Sequence, residues 1–322
     1  MDLKNVLITG AQGYVGNLFL KACIAEKGKL FDKVIAMDLR DAKEKHPEAI
    51  YYACDIRSEE VEKIMVENKV DIVVHLAAII SSADNSDRDL EYDVDVNGTK
   101  KLIDYALKHG CKKFITTSSG AAYGYYSDNV DRWLTEKDPL RGNYEVPYAY
   151  HKKLVDEHLQ EIQRNNPNFE VYIFRTGTVL GETTRNQITE LFTRKKILTL
   201  KGYRSPFVFT WDEDLVRVLL KACTDGKPGA YNVSGDGSLS MQEVADILGK
   251  KKMNISPGLL KGAFSVLHPL KLSKHGPIAI SFIQYRPVLA NNKLKEEFSY
   301  TPNKTTKETF QFFVEKNKSY VS

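Results

Sequence analysis

The sequence predicts an α/β protein, a doubly wound parallel sheet with a smaller carboxyl-terminal lobe, and the pattern of its first 181 residues carries that expectation. Short β-branched or aromatic runs at 6–9, 34–37, 72–76 and 114–117 are apolar on both faces, as strands covered by helices on either side must be. Amphipathic helical patterns at 15–25, 59–67 and 97–108 lie between them, so strand and helix alternate along the chain. A further helical stretch at 150–164 and a strand at 170–175 continue the series.

Beyond Gly181 the alternation loosens. A helix is expected at 212–222 and a short strand at 230–233, and capping boxes at Ser240–Glu243 and Thr305–Glu308 each open a helix. Residues 1–181 therefore read as the sheet domain and 182–322 mainly as a lobe packed on it, since no Gly-, Pro- or Ser-rich linker and no internal repeat separates them. The stretch 259–272 is amphipathic with two interruptions, suited either to line a pocket or to cover the sheet.

Bulk properties narrow the partners. The 322 residues are 42% hydrophobic and 27% charged, and 46 basic against 42 acidic residues are mixed along the chain. No basic run with interleaved aromatics suggests a nucleic-acid partner, and no apolar stretch nears the ~20 residues of a membrane helix. The amino terminus lacks a signal-peptide pattern. Cys23, Cys54, Cys111 and Cys223 are widely scattered, reading as reduced thiols, and no metal site is expected. A cytoplasmic enzyme acting on a small molecule is the expectation.

The glycines Gly10-x-x-Gly13-x-x-Gly16 follow the first strand and open the first helix. They allow a tight turn, close approach of backbone to a pyrophosphate, and close helix–strand packing, while the helix start offers free N–H groups. This is a Rossmann dinucleotide loop. Asp38 ends the second strand, where a carboxylate accepts ribose hydroxyls and repels a 2′-phosphate, so NAD is expected over NADP; Arg40, two residues on, softens that preference. Asp55 ends the third strand, where the adenine ring should sit.

Three further groups belong together. Thr117-Ser118-Ser119 closes a buried strand with hydroxyls, and Tyr148 and Lys152 lie four apart on one helical face. An ammonium one turn away stabilises a phenolate whose ordinary pKa of ~10 would otherwise make it a poor base. With a serine hydroxyl to orient the substrate oxygen, this trio can move a proton on a carbinol oxygen while hydride passes to or from a nicotinamide.

In that order these pieces resemble the extended short-chain dehydrogenase/reductases, the group called the NAD-dependent epimerase/dehydratase family. The matching residues are Thr9-Gly10-x-x-Gly13-Tyr14-x-Gly16, Asp55-Ile56, His75-Leu76-Ala77-Ala78, Asn97-Gly98-Thr99, Ser118-Ser119-x-x-x-Tyr123-Gly124, Tyr148-x-x-x-Lys152 and Arg175 through Gly181, and the tail around Tyr285-Arg286-Pro287 resembles the family's end region. The resemblance implies Tyr148 as general acid/base, Lys152 as its charge partner and ribose ligand, and Ser119 as the catalytic serine, with Ser118 the adjacent candidate. It implies cofactor contacts at Gly10, Gln12, Gly13, Tyr14, Val15, Gly16, Asp38, Leu39, Asp55, Ile56, Leu76, Ala77, Ala78, Asn97, Thr117 and Thr178. Substrate contacts are expected at Ser119, Tyr123 and Arg204, and Phe207, Phe209, Trp211 and Asp214 lie where the second lobe would reach the substrate, although Phe207 and Phe209 fit a core equally well. A homodimer through the helices around Asn97 and Tyr148 is also implied.

Substrate-specific patterns depart from the family. Sugar-nucleotide members carry Arg-x-Phe-Asn-x-x-Gly where this chain has Arg175-Thr176-Gly177-Thr178-Val179-Leu180-Gly181, without the asparagine that holds a diphosphate. Dehydratases carry Asp-Glu where this chain has Gly120-Ala121, so elimination of water is not expected. Two enzymatic readings stand: a dehydrogenase or reductase of a secondary alcohol or ketone, which the missing asparagine favours, and a nucleotide-sugar 4-epimerase that retains NAD. A non-catalytic NAD-binding regulatory protein is the third.

Overall fold

The computed structural model describes residues 3–79, 87–267 and 278–322. The chain alternates as expected through β1 (Lys4–Thr9), α1 (Tyr14–Ala25), β2 (Phe31–Asp38), β3 (Ile50–Ala53), α2 (Glu60–Glu67) and β4 (Ile72–His75). A helix then starts as α3 (Arg88–Tyr92), widens into a π turn at Asp93–Gly98 and continues as α4 (Thr99–Lys108). Next come β5 (Lys113–Ser119), α5 (Pro147–Asn165) and β6 (Glu170–Thr176). The rest of the chain runs β7 (Thr178–Leu180), α6 (Gln187–Leu191), β8 (Lys196–Leu200), β9 (Phe209–Trp211), α7 (Asp212–Thr224) and β10 (Gly229–Val233). It closes with α8 (Met241–Ile247), β11 (Lys251–Ile255), α9 (Pro257–Leu267), α10 (Ile278–Gln284), α11 (Asn292–Glu296), α12 (Thr306–Lys316) and α13 (Lys318–Val321).

Seven strands form one parallel sheet in the order β10-β6-β5-β4-β1-β2-β3. Side chains of a strand alternate between its faces, so β1 sends Val6 and Ile8 into one apolar layer with Phe19, Phe174 and Leu219, and Leu7 into the opposite layer with Met37, Val73 and Leu102. Both layers are fully covered, which is why the strands read as continuous apolar runs. Each buried Val, Leu or Ile contributes roughly 1.5–3 kcal/mol relative to exposure.

The division expected at residue 181 is not a clean one. β10 joins the sheet beside β6 and α7 packs against α1, so the chain returns to the nucleotide domain after starting the lobe. The lobe has its own core of Leu180, Phe192, Phe207, Phe209, Leu239, Phe310 and Phe313. Phe207 and Phe209 stack 5.2 Å apart inside it, which settles them as core residues and not substrate contacts. Both capping boxes form as expected. All four cysteines are free and buried. Residues 259–267 of the amphipathic stretch fall in α9; its remainder to 272 lies outside the described residues.

Candidate active site

The glycine loop has the conformation that a dinucleotide requires. Gly10 adopts φ +69°, and a Cβ there would collide with the backbone of Leu76 and Ala77 at the end of β4. A Cβ on Gly16 would overlap the Gly10 carbonyl, so helix α1 can start this close to the loop only with glycine at that position. At Gly13 the neighbour within reach of a Cβ is the Gly10 carbonyl, which leaves a side of the loop open to a phosphate approaching the first turn of α1. Asp38 stands beside the loop: one carboxylate oxygen accepts from the Gln12 N–H at 2.9 Å, the other from the Arg40 N–H at 3.1 Å. Its four lone-pair sites leave room for ribose hydroxyls as well.

Other expected cofactor positions divide. Leu76, Ala77, Ala78 and Thr178 are partly exposed along the carboxyl ends of the strands, where ligands of open α/β sheets bind. Leu39 is exposed beyond β2. Asp55 is bound by Arg57 through Nη2 at 2.7 Å and Nε at 3.0 Å, and Ile56 is buried in the core. Hydrogen bonding from Arg57 holds the Asp55 carboxyl below the usual carboxylate range. The Tyr14 phenol donates to Asp212 at 2.5 Å, so its side chain reaches the lobe while its backbone opens α1.

Asn97 lies in the π turn. It is exposed, and its amide donates to Asp93 at 3.1 Å. Asp95, two residues earlier, is the buried member, and its carboxylate accepts from the Ile79 N–H at 2.9 Å. The π turn explains the difference. An extra residue per turn rotates the following register by roughly 100°, so facing cannot be read from a regular 3.6-residue period.

The candidate trio Ser119, Tyr148 and Lys152 lies on the end of β5 and the first two turns of α5. Lys152 on α5 donates from Nζ to the Thr117 carbonyl at 2.9 Å and lies 5.8 Å from the Tyr148 ring centroid. Ser119 ends β5, and its Oγ accepts from the Ala121 N–H at 3.1 Å, capping a 3-10 turn over Gly120–Tyr123. Ser118 is buried with its hydroxyl unpartnered, facing the interior, which leaves Ser119 as the half-exposed member.

Tyr123 is a structural residue and not a substrate contact. It is 1% exposed, donates to Asn232 Oδ1 at 2.8 Å and accepts from Arg175 Nη1 at 2.8 Å. Burial, opposed by Arg175, pushes its phenol up to about 12. Arg175 in turn holds Asp156 through two bonds of 2.9 Å, both residues being fully buried. Asp214 is likewise structural, accepting from Tyr300 Oη at 2.6 Å and from the backbone and side chain of Asn303. Trp211 packs on Phe312.

A cavity of about 330 Å3 has a wall that includes Arg132, Tyr203, Arg204 and Arg286. Arg204, expected as a substrate contact, is exposed there and sits 3.7 Å from Glu243. Arg286 belongs to the tail segment Tyr285-Arg286-Pro287. It is buried, stacked 3.6 Å from the Phe207 centroid, and bonded through Nε to the Phe282 carbonyl, with both Nη groups unpartnered among the described residues. Burial pushes its guanidinium down to about 9, against the nearby Tyr125, and it stays cationic at neutral pH. Tyr125, Phe282 and Tyr285 cluster with Tyr148, and the Arg286 guanidinium also lies 4.7 Å from the Phe282 centroid.

A family model described as NAD dependent epimerase/dehydratase family matches residues 6–234. The chain belongs to that family of NAD-dependent enzymes. It is 29% identical over 264 residues to a dTDP-glucose 4,6-dehydratase of Streptomyces griseus, covering 76% of this chain and 77% of that one. An uncharacterized protein of Mycobacterium tuberculosis is 23% identical over 316 residues, 95% of this chain and 82% of the other. Among solved structures, the UDP-glucose 4-epimerase of Thermotoga maritima with UDP-glucose superposes with a TM-score of 0.74 at 19% identity, covering 99% and 100% of the two chains. At that identity the likeness concerns the fold. No described helix is long and apolar enough to cross a membrane.

Proposed function

We propose that this enzyme transfers hydride between NAD and a secondary alcohol or ketone carrying an anionic group, with Tyr148 as acid/base, Lys152 as its charge partner and Ser119 orienting the reacting oxygen. The observation that carries the reading is that Lys152, one turn beyond Tyr148 on α5, donates to the Thr117 carbonyl near the end of β5, the strand that Ser119 closes. Bound NAD supplies the hydride acceptor or donor. In this reading Tyr148, with the Lys152 ammonium one turn away, removes the hydroxyl proton as hydride leaves. The buried Nη groups of Arg286, unpartnered among the described residues, with Arg132 and Arg204 on the same cavity wall, support a phosphate or carboxylate on the substrate.

The second reading is a nucleotide-sugar 4-epimerase. The arginine-lined cavity favours it, because a diphosphate could be held there in place of the family asparagine missing at Gly177–Thr178. Gly120 and Ala121, in the turn after Ser119, offer no acid or base for dehydration. A thermal-shift panel with NAD and nucleoside-diphosphate sugars, sugar phosphates and neutral hydroxyketones tests the substrate class, and the anionic compounds should stabilise the protein. In Arg286→Met that stabilisation should weaken with an affinity loss of ~10–100-fold, the value of one or two charge-assisted hydrogen bonds. Equal stabilisation by neutral ligands would exclude the anionic substrate. NAD that survives gel filtration favours the epimerase, and NAD that exchanges freely favours the dehydrogenase.

NAD is preferred over NADP in this reading because Asp38 would repel a 2′-phosphate. Asp38→Ser should shift the affinity ratio toward NADPH by ~10-fold or more, by removal of like charge, as read by titration of NADH and NADPH fluorescence. A cytoplasmic location is proposed with it. A homodimer through α3, α4 and α5 is supported by Leu90, Tyr92 and Tyr144, large hydrophobic side chains exposed on or beside those helices.

A further inference from the structure

The lobe carries a face that the proposed chemistry does not use. Strands β8 and β11 pair in parallel, with Lys196 beside Lys251, Leu198 beside Met253 and Leu200 beside Ile255. Side chains alternate along a strand, so these three pairs point to one side of the ribbon. Helix α9 covers the far end of that side, where Leu260 and Phe264 pack with Leu200 and Ile255. At the near end Lys196, Lys251 and Met253 are exposed, and the first four residues of β11 all face solvent.

Charge and exposed apolar surface coincide here. Basic and acidic residues mix along most of the chain, yet the stretches 191–211 and 247–267 hold nine lysines and arginines and no aspartate or glutamate. Two of the nine meet a carboxylate from outside the stretches: Lys252 reaches Asp246 at 2.7 Å, and Arg204 lies 3.7 Å from Glu243. Arg194, Lys195, Lys196, Lys251 and Lys261 are exposed and have no carboxylate partner among the described residues. Lys196 and Lys251 stand side by side on neighbouring strands, where like charges repel unless an anion lies over them. A soluble surface helix turns its polar residues to water, but α9 turns Gly258, Leu259, Gly262 and Ala263 outward, with Lys261 the single charge of the element. Leu259 is 73% exposed, the most of any large hydrophobic side chain among the described residues.

We propose that β11 and α9 form a docking face for a bilayer surface rich in anionic lipids, with Lys196, Lys251 and Lys261 meeting headgroup phosphates and Leu259 entering the boundary with the acyl chains. The protein lies on such a surface and does not span it, since no described helix is long and apolar enough to cross a membrane. Charge complementarity supplies the attraction, which acts within about 10 Å at 0.1 M salt. The apolar part decides between a bilayer and an acidic protein. Unpaired lysines alone would suit either, whereas an outward Leu259 flanked by Gly262 and Ala263 lets the helix sink its backbone among headgroups. The proposal does not depend on which reaction the active site performs.

Sedimentation with vesicles tests it on the full-length protein. Vesicles of phosphatidylcholine alone are compared with vesicles of equal parts phosphatidylcholine and phosphatidylglycerol. Binding is expected to the anionic vesicles only, and it should weaken as salt rises. Lys196→Gln combined with Lys251→Gln should lower that binding by ~25-fold, at about five-fold for each charge near the surface. Leu259→Ser should lower it by ~10-fold through lost apolar insertion. All three side chains are exposed, so thermal unfolding and NADH affinity should stay as in the wild type. No binding to anionic vesicles, equal binding to both compositions, or binding that either variant leaves unchanged overturns the proposal. Polyglutamate bound as tightly as the anionic vesicles also overturns it, since the face would then belong to an acidic macromolecule.

Discussion

Tyr148→Phe is expected to lower kcat by a factor of ~10²–10⁴ on the alcohol or ketone that the ligand panel identifies, with NAD affinity nearly unchanged. The substitution deletes one oxygen from a half-buried ring and leaves the packing against Tyr125 and Phe282 in place. What goes is the hydroxyl proposed as the proton acceptor. Lys152→Met should cost both rate and cofactor affinity, because the same ammonium holds the Thr117 carbonyl at the end of β5. Steady-state kinetics together with NADH titration separates the two outcomes. Turnover that survived Tyr148→Phe would remove this phenol from the mechanism.

Asp156→Ala is expected to destabilise the fold by ~3–5 kcal/mol, because it strands the Arg175 guanidinium in the interior. Arg175 is 1% exposed and Asp156 fully buried, so no water can replace the lost carboxylate. The pair keeps Arg175 charged: burial lowers its pKa, but hydrogen bonding and charge attraction from Asp156 outweigh this and raise it. Removing both members, as in Asp156→Leu with Arg175→Met, should cost less than the single change, since breaking a buried pair is worse than deleting it. Urea denaturation of the three variants measures this directly. Activity should fall along with stability, because Arg175 fixes Tyr123 and the turn that Ser119 caps. Equal stability of wild type and Asp156→Ala would show that the interior relaxes to hydrate the arginine.

The roles of these residues were unequally visible in the chain. Tyr148, Lys152 and Ser119 announce themselves because their spacing is set by one helix and one strand end. Tyr123 looks like a substrate contact by its place in the motif, yet its hydroxyl is consumed by Arg175 and Asn232, residues 52 and 109 positions away. Asp214 looks the same and is consumed by Tyr300 and Asn303. Arg286 carries no local signal, since its setting comes from Phe207 and Phe282 stacking around it while its Nη groups have no partner among the described residues.

By itself the sequence determined the doubly wound sheet, the dinucleotide loop at Gly10–Gly16, the acidic end of β2 and the Tyr148–Lys152 face. Each of these rests on periodicities of two or 3.6 residues or on short-range backbone demands, which act within a dozen residues and so are written locally. The tertiary structure alone decided that β10 and α7 return to the sheet and that Asp95 and not Asn97 turns inward. These depend on burial and on polar partners brought from distant segments. Desolvation makes such partners obligatory, but nothing in the local sequence says which groups will be desolvated together.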